Sequence, residues 1–189
     1  MKKHSGIALF IAALALSASL QAAEVAGVRV DDRLTANGRE LVLNGAGLRT
    51  KLFFKVYVAA LYVPQKSGTA ASVLESIDPA RINLRLMRDL DAETLHSALL
   101  DGLLPNLQEG EQASLQPFLD QLGALMRRIN KISTGDTVTL DFTPEGLAVS
   151  LNGDARGTVA GGRNARRLLS IWLGNHPVDE KLKKALLGS

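Results

Sequence analysis

Arg49 is the residue whose type and setting speak most directly of chemistry. It sits in a run dominated by apolar side chains, directly after Gly45-Ala46-Gly47-Leu48, where two glycines let neighbouring backbones approach closely. Arginine is almost never buried without a partner. Its partner is either a structural acid, with Asp89 and Asp141 as candidates, or an anionic ligand whose carboxylate the guanidinium grips in a bidentate fork. The residues alone leave both open.

Other chemistries are thinly furnished. The three histidines, His4, His96 and His176, have no ligand-like neighbours, and there is neither an HExxH run nor any cysteine. No metal site and no cofactor are therefore expected. His96 lies one residue from the apolar positions of its helix and reads as a boundary residue making a hydrogen bond. The lack of cysteine also excludes disulfides and a lipoprotein anchor. No G-x-S-x-G elbow offers a nucleophile. Gly45-Ala46-Gly47 begins like a dinucleotide fingerprint, but Thr50 stands where the third glycine belongs and a strand pattern follows. Gly161-Gly162 ahead of Arg163, Arg166 and Arg167 could hold an anion, although a loop followed by a solvated basic face is the plainer reading.

The elements that must position Arg49 begin after an export signal. Lys2, Lys3 and His4 form a basic head, Ile7 to Leu16 an apolar stretch, and Ser17 to Ala23 a mostly small or neutral tail. That layout predicts a cleavable signal peptide over residues 1–22, cut after Ala22 or Ala23. The apolar stretch falls short of the roughly 20 residues that span a bilayer, so no integral span is expected after cleavage. The chain carries 22 Lys+Arg against 19 Asp+Glu, formally +3. Lys2 and Lys3 leave with the signal and no acid does, so the mature balance is +1. With aromatic residues at only 4%, neither a charged footprint nor a stacking surface for nucleic acid is expected. Residues 23–189 suit one domain with a sizeable core.

Within it, Val25 to Val30 and Leu41 to Asn44 read as short strands around a polar turn at Asp31 to Gly38. Leu48 to Val63 reads as one strand run, ended by Pro64. One of its faces holds Leu52, Phe54, Val56, Val58, Ala60 and Tyr62, and the other includes Lys51, Phe53, Tyr57, Ala59 and Leu61. A short helix over 69–77 and a strand over 81–87 follow. Asp91 is the expected N-cap of a helix stopped by Pro105. A longer helix carries Leu115, Phe118, Leu122 and Met126 on one stripe, with Pro117 placed in its first turn. Strands over 138–142, 147–151 and 155–159 surround the turns at Pro144-Glu145-Gly146 and Asn152-Gly153. Helices over 163–173 and 179–187 close the chain. This order predicts an α+β fold, an antiparallel sheet covered on one face by helices.

Asn44-Gly45-Ala46-Gly47-Leu48-Arg49, followed by Lys55-Val56-Tyr57-Val58-Ala59-Ala60-Leu61-Tyr62-Val63, resembles the signature of the chalcone isomerase-like superfamily. The closing Ser170-Ile171-Trp172-Leu173-Gly174, with Pro177-Val178-Asp179 and Leu186-Leu187-Gly188, resembles its bacterial branch. The resemblance implies an open-faced β-sandwich, a large antiparallel sheet under a layer of helices. It also implies two functional types. Plant chalcone isomerases close a flavanone ring, an Arg steadying the phenolate while Thr, Tyr and Asn organise water and the enolate. Non-catalytic members hold a fatty-acid carboxylate with the corresponding Arg and a Tyr. Arg49 matches the family Arg, and Tyr57 falls where the enzymes have Thr and the binders Tyr. The enzymes' Tyr and Asn fall near Asp91 and Ala98, and neither type is retained.

The leading expectation is thus an exported, periplasmic binder of a small apolar or amphipathic ligand such as a fatty acid. Arg49 would anchor the carboxylate and Tyr57 would donate a second hydrogen bond. Phe53 and Leu61 would line the pocket. The alternatives are an isomerase (an intramolecular lyase) acting on a phenolic or enone substrate, and an envelope interaction module without a ligand. No feature of the sequence assigns an oligomeric state. The binding reading carries a geometric condition: eight residues of straight strand would hold Arg49 and Tyr57 ~27 Å apart at ~3.4 Å per residue. They meet only if the chain bends, most simply near Thr50-Lys51.

Overall fold

Alternating apolar stretches broken by turn residues fold into hairpins, and most of the hairpins join into one sheet. The computed structural model describes residues 22–189. β1 (Ala22–Val25) and β2 (Val28–Asp31) form a separate ribbon around Ala26-Gly27. β3 (Arg33–Ala36), β4 (Arg39–Lys51) and β5 (Phe54–Val63) come next, then α1 (Ala70–Glu75) and β6 (Ala80–Leu86). β7 (Leu90–Asp91) leads into α2 (Ala92–Leu103), a 3-10 turn at Leu104–Asn106, α3 (Glu111–Ile129) and β8 (Lys131–Ile132). The meander β9 (Thr137–Phe142), β10 (Gly146–Leu151) and β11 (Asp154–Ala160) is followed by α4 (Gly162–Arg167), α5 (Ser170–Leu173) and α6 (Glu180–Leu186).

The main sheet has seven strands in the order β11-β10-β9-β6-β5-β4-β3, every neighbouring pair antiparallel. Helices cover one of its faces, which is the α+β, open-faced arrangement expected. Between sheet and helices lies the main core, built on Leu61, Ile82, Leu84, Leu122, Met126 and Trp172. The opposite face is not bare. The β1–β2 ribbon covers part of it and closes a smaller core of Val30, Leu41, Leu43, Val58, Ala60 and Tyr62.

Five local readings need correction. The strand expected over Val25–Val30 is the β1–β2 ribbon, turned at Ala26 (φ 53°) and Gly27 (φ 85°). The polar turn at Asp31–Gly38 contains β3, with its own turn at Asn37-Gly38. Leu48 to Val63 is a hairpin rather than one strand, because β4 and β5 reverse through Leu52-Phe53. Finally, α3 begins four residues before its apolar stripe. Glu111 accepts from the Gln108 amide at 2.8 Å and starts the helix there, so Pro117 lies inside it and not in its first turn. The terminal helical stretch also divides into α4 and α5 across Leu168-Leu169. The signal peptide reading falls on residues 1–22, of which only Ala22 is described.

Candidate functional site

The bend that Arg49 and Tyr57 require is the β4–β5 reversal, which makes them direct cross-strand partners. Two register shifts set which way they face. At Asn44 a bulge re-phases β4, since one extra residue exchanges the faces of a strand. Leu43 therefore lies opposite Tyr62 in the smaller core, whereas Gly45, Gly47 and Arg49 lie opposite Leu61, Ala59 and Tyr57 under the helices. The second shift falls between Arg49 and Thr50, beside Val56.

The glycines admit α6. A Cβ on Gly45 would sit 2.0 Å from the Ala185 carbonyl oxygen, and one on Gly47 would sit 2.7 Å from the Ala185 Cβ. Asn44 fastens the same helix: its Nδ2 donates to the Leu186 carbonyl at 2.7 Å and to the Ser67 carbonyl at 3.0 Å. Laid down this way, α6 brings its N-cap to Arg49. Asp179 Oδ1 accepts from the amides of Lys181 and Leu182, and its Oδ2 faces Arg49 Nη1 at 3.4 Å. The acid beside Arg49 is thus Asp179, and neither of the two acids expected. Asp141 is taken by Arg81 at 2.6 and 2.7 Å, and Asp89 accepts from the Thr134 amide and hydroxyl and pairs with Lys131.

The Arg49 pair is slack. At 3.4 Å it exceeds the usual 2.7–3.2 Å range of N–H···O bonds. Nη1 makes this contact and also donates to the Thr50 carbonyl, so three of the five guanidinium donors remain for Tyr57 and the space beyond. Tyr57 is 7% exposed, and its hydroxyl accepts from Trp172 Nε1 at 3.0 Å. Burial pushes the phenol up to about 12, against the opposing pull of the Trp172 bond and the Arg49 charge. The hydroxyl is therefore neutral at physiological pH. Its own proton has no acceptor among the described residues.

Both side chains line a cavity of about 390 Å³ between the sheet and α2. Val56, Leu95, Ala98 and Leu99 supply apolar wall, and Ile171 and Val178 close it from the C-terminal segment. Gly102 lets these walls meet, because a Cβ there would lie 2.5 Å from Val178 Cγ1. Lys51, Asp101 and His176, all exposed, complete the lining. The arrangement can bind a small anion at one place and an apolar body over the rest.

Two expected lining residues lie elsewhere. Phe53 is 97% exposed at the hairpin tip, where the reversal carries it off the face it would occupy in a continuous strand. Leu61 is fully buried in the main core, four residues along β5 from Tyr57, and does not line the cavity. His96 packs against Gly123 of α3, away from Arg49, with its Nε2 buried and unpartnered, and desolvation lowers its pKa. Around Gly161-Gly162 two of the three arginines are engaged, Arg166 donating to the Asp78 carbonyl and Arg167 to Glu111, and Arg163 is exposed. A second groove of about 390 Å³ runs under the β1–β2 ribbon, but the Tyr62 hydroxyl beside it already donates to the Asp31 carbonyl at 3.0 Å. Sequence reasoning missed the roles of Trp172 and Asp179. Their only signal was membership of the C-terminal segment that carried the family resemblance.

Comparison with known proteins fits this geometry. A family model described as chalcone isomerase-like matches residues 22–188. No curated protein matches the sequence. Among solved structures, the crystal structure of a fatty-acid binding protein from Arabidopsis thaliana superposes with a TM-score of 0.70 at 17% identity. The match covers 85% of this chain and 92% of the plant protein. At that identity the likeness establishes the fold alone.

Proposed function

We propose that this chain, which belongs to the chalcone isomerase-like family, binds an apolar carboxylate such as a fatty acid without turning it over. One observation carries the reading: Arg49 and Tyr57 stand opposite each other across a hairpin and line the same apolar-walled cavity, with donors to spare. A ligand carboxylate takes the free side of the guanidinium and accepts the uncommitted Tyr57 proton. The long Arg49–Asp179 contact lengthens at little cost, since Asp179 keeps its two bonds at the start of α6. The alkyl portion lies against Val56, Leu95 and Leu99 and contributes ~0.8 kcal/mol per buried CH₂. A cavity of about 390 Å³ stands towards the small end of the ~300–1,000 Å³ typical of ligand sites. The likeness to a plant protein titled as fatty-acid binding supports the ligand class.

Ring closure on an enone needs further donors to steady a developing enolate, each worth ~10²–10³ in rate. Here Ala98 on the cavity wall can donate nothing, and Asp91 is held by the Thr94 amide and hydroxyl at the start of α2. A module without a ligand would have Arg49 closed onto an acid away from any cavity, whereas the Asp179 contact is long and opens on one. The layout of residues 1–22 supports a periplasmic site of action.

The test is titration of the delipidated protein with an anthroyloxy-labelled fatty acid. Saturable one-to-one binding is expected, weakened ~10²-fold in Arg49→Met. Binding that is absent, or indifferent to Arg49→Met, overturns the reading. Export is checked by the mass of the protein recovered from the periplasm, expected to lack 22 or 23 residues.

A further inference from the structure

Five large apolar residues are exposed among the described residues, and three of them are consecutive: Leu52 (82%), Phe53 (97%) and Phe54 (58%). They form the tip of the β4–β5 hairpin. The tip protrudes, because β5 pairs with β6 only from Tyr57 onwards, and beyond that the Met87 amide donates to the Val56 carbonyl. Lys51 and Lys55 flank it, both exposed, and Arg88 lies over the Phe54 ring at 5.1 Å. The acid next to Arg88, Asp89, pairs with Lys131 and bonds to Thr134, so it does not neutralise these cations at the tip.

Turn chemistry makes the composition more pointed. Two-residue hairpin loops favour Gly, Asn or Asp where φ is positive. Three reversals here follow that rule or end on glycine: Ala26-Gly27, Asn37-Gly38 and Asn152-Gly153. In the fourth, Leu52 holds φ 56°. A branched side chain in that conformation is unfavourable, and nothing in the fold gains from it, since Leu52 touches neither core.

We infer that this tip docks on an anionic lipid surface, with Leu52, Phe53 and Phe54 entering the headgroup boundary and Lys51, Lys55 and Arg88 meeting lipid phosphates. A convex apolar point ringed by cations suits an interface that is apolar inside and negative outside. A protein groove would instead want a shaped apolar face with polar partners. No helix of the described residues is long and apolar enough to cross a membrane, so the contact is peripheral. Lys51 belongs both to the tip and to the lining of the Arg49 cavity, so docking sets that cavity beside the bilayer. That last consequence rests on the acyl-ligand reading. The docking itself does not.

Phe53→Trp supplies a probe, since the sole native tryptophan, Trp172, is fully buried. Its emission is expected to shift to shorter wavelength on vesicles of phosphatidylcholine mixed with phosphatidylglycerol, and far less on phosphatidylcholine alone. Lipids brominated near the headgroup should quench it. Each of Lys51→Gln, Lys55→Gln and Arg88→Gln should weaken co-sedimentation about fivefold. Phe53→Ser should weaken it at least ~10-fold. Unchanged Trp172 emission in these variants reports an intact core. No shift on anionic vesicles overturns the proposal. So does a shift that appears without vesicles as protein concentration rises, which would make the tip a contact between copies. Acyl binding measured without vesicles is independent of either outcome, so failure of one reading is distinguishable from failure of the other.

Discussion

The sheet carries a Tyr–Arg–Asp group on each face, and the two are finished differently. On the face away from the helices, Tyr62, Arg81 and Asp141 are register partners across β5, β6 and β9. Arg81 grips Asp141 through Nε and Nη2 at 2.6 and 2.7 Å, and the Tyr62 proton goes to the Asp31 carbonyl. Under the helices, Tyr57 and Arg49 are register partners, but Asp179 arrives from α6 and stops 3.4 Å away. The Tyr57 proton is unclaimed. Burial does not separate them: the arginine and aspartate side chains are 18% and 16% exposed in one pair, 21% and 13% in the other. Geometry does. In the closed group the guanidinium is locked in a bidentate fork and the phenol proton is spent, so it serves the fold, while the open one keeps a slack acid and an unclaimed phenol proton beside a cavity.

The largest expected effect comes from breaking the open group through its scaffold. Gly45→Ala places a Cβ 2.0 Å from a backbone oxygen of α6, which cannot yield without moving the helix. Stability should fall by about 3 kcal/mol in urea unfolding, and acyl binding should weaken as Asp179 and the cavity wall move. Arg49→Met should do the reverse, losing ~10²-fold in acyl affinity while stability changes by no more than about 1 kcal/mol. The same change in the closed group, Arg81→Met, strands Asp141 and should cost about 2 kcal/mol of stability with acyl binding intact. Equal effects of the two arginine variants on binding would erase the distinction between the groups.

How much of this contrast the residues disclose depends on distance along the chain. Gly and Pro stops and the change of period made the α+β order legible, as did the odd setting of Arg49. Its relation to Tyr57 was legible only as a condition, because Leu52-Phe53 contains none of the residues that announce a turn. Parity read straight through the reversal puts Phe53 on the pocket face, whereas the hairpin carries it to the exposed tip. The Asn44 bulge hid for a similar reason, since an inserted residue leaves composition unchanged while exchanging faces. Gly45 and Gly47 signalled close approach but not what approaches. Asp179 lies 130 residues from Arg49, and only the packing of α6 on those glycines brings the two together.

The smallest effect is the most discriminating, because it reads the two tyrosines separately. Burial pushes both phenols up to about 12 from 10. The folded protein then keeps protons that the unfolded chain releases, so stability is fully present below pH 10 and declines as pH rises towards 12. For the buried Tyr57, a shift of that size contributes on the order of 1 kcal/mol of the loss around pH 11. Tyr57→Phe and Tyr62→Phe each remove a hydrogen bond, one accepted from Trp172 and the other donated to the Asp31 carbonyl, and each should lower stability at neutral pH by a constant offset. Each should also flatten part of the alkaline slope, measured by urea unfolding between pH 9 and 12. Only Tyr57→Phe should weaken acyl binding, by about fivefold for one lost donor. Bound ligand should tell them apart again. A carboxylate accepting the Tyr57 proton disfavours the phenolate further, so saturating fatty acid should move the Tyr57 part of the slope to higher pH and leave the Tyr62 part in place. If ligand moved both parts or neither, the open group would be as closed as the other, and the Arg49 cavity would lose its claim to be the site.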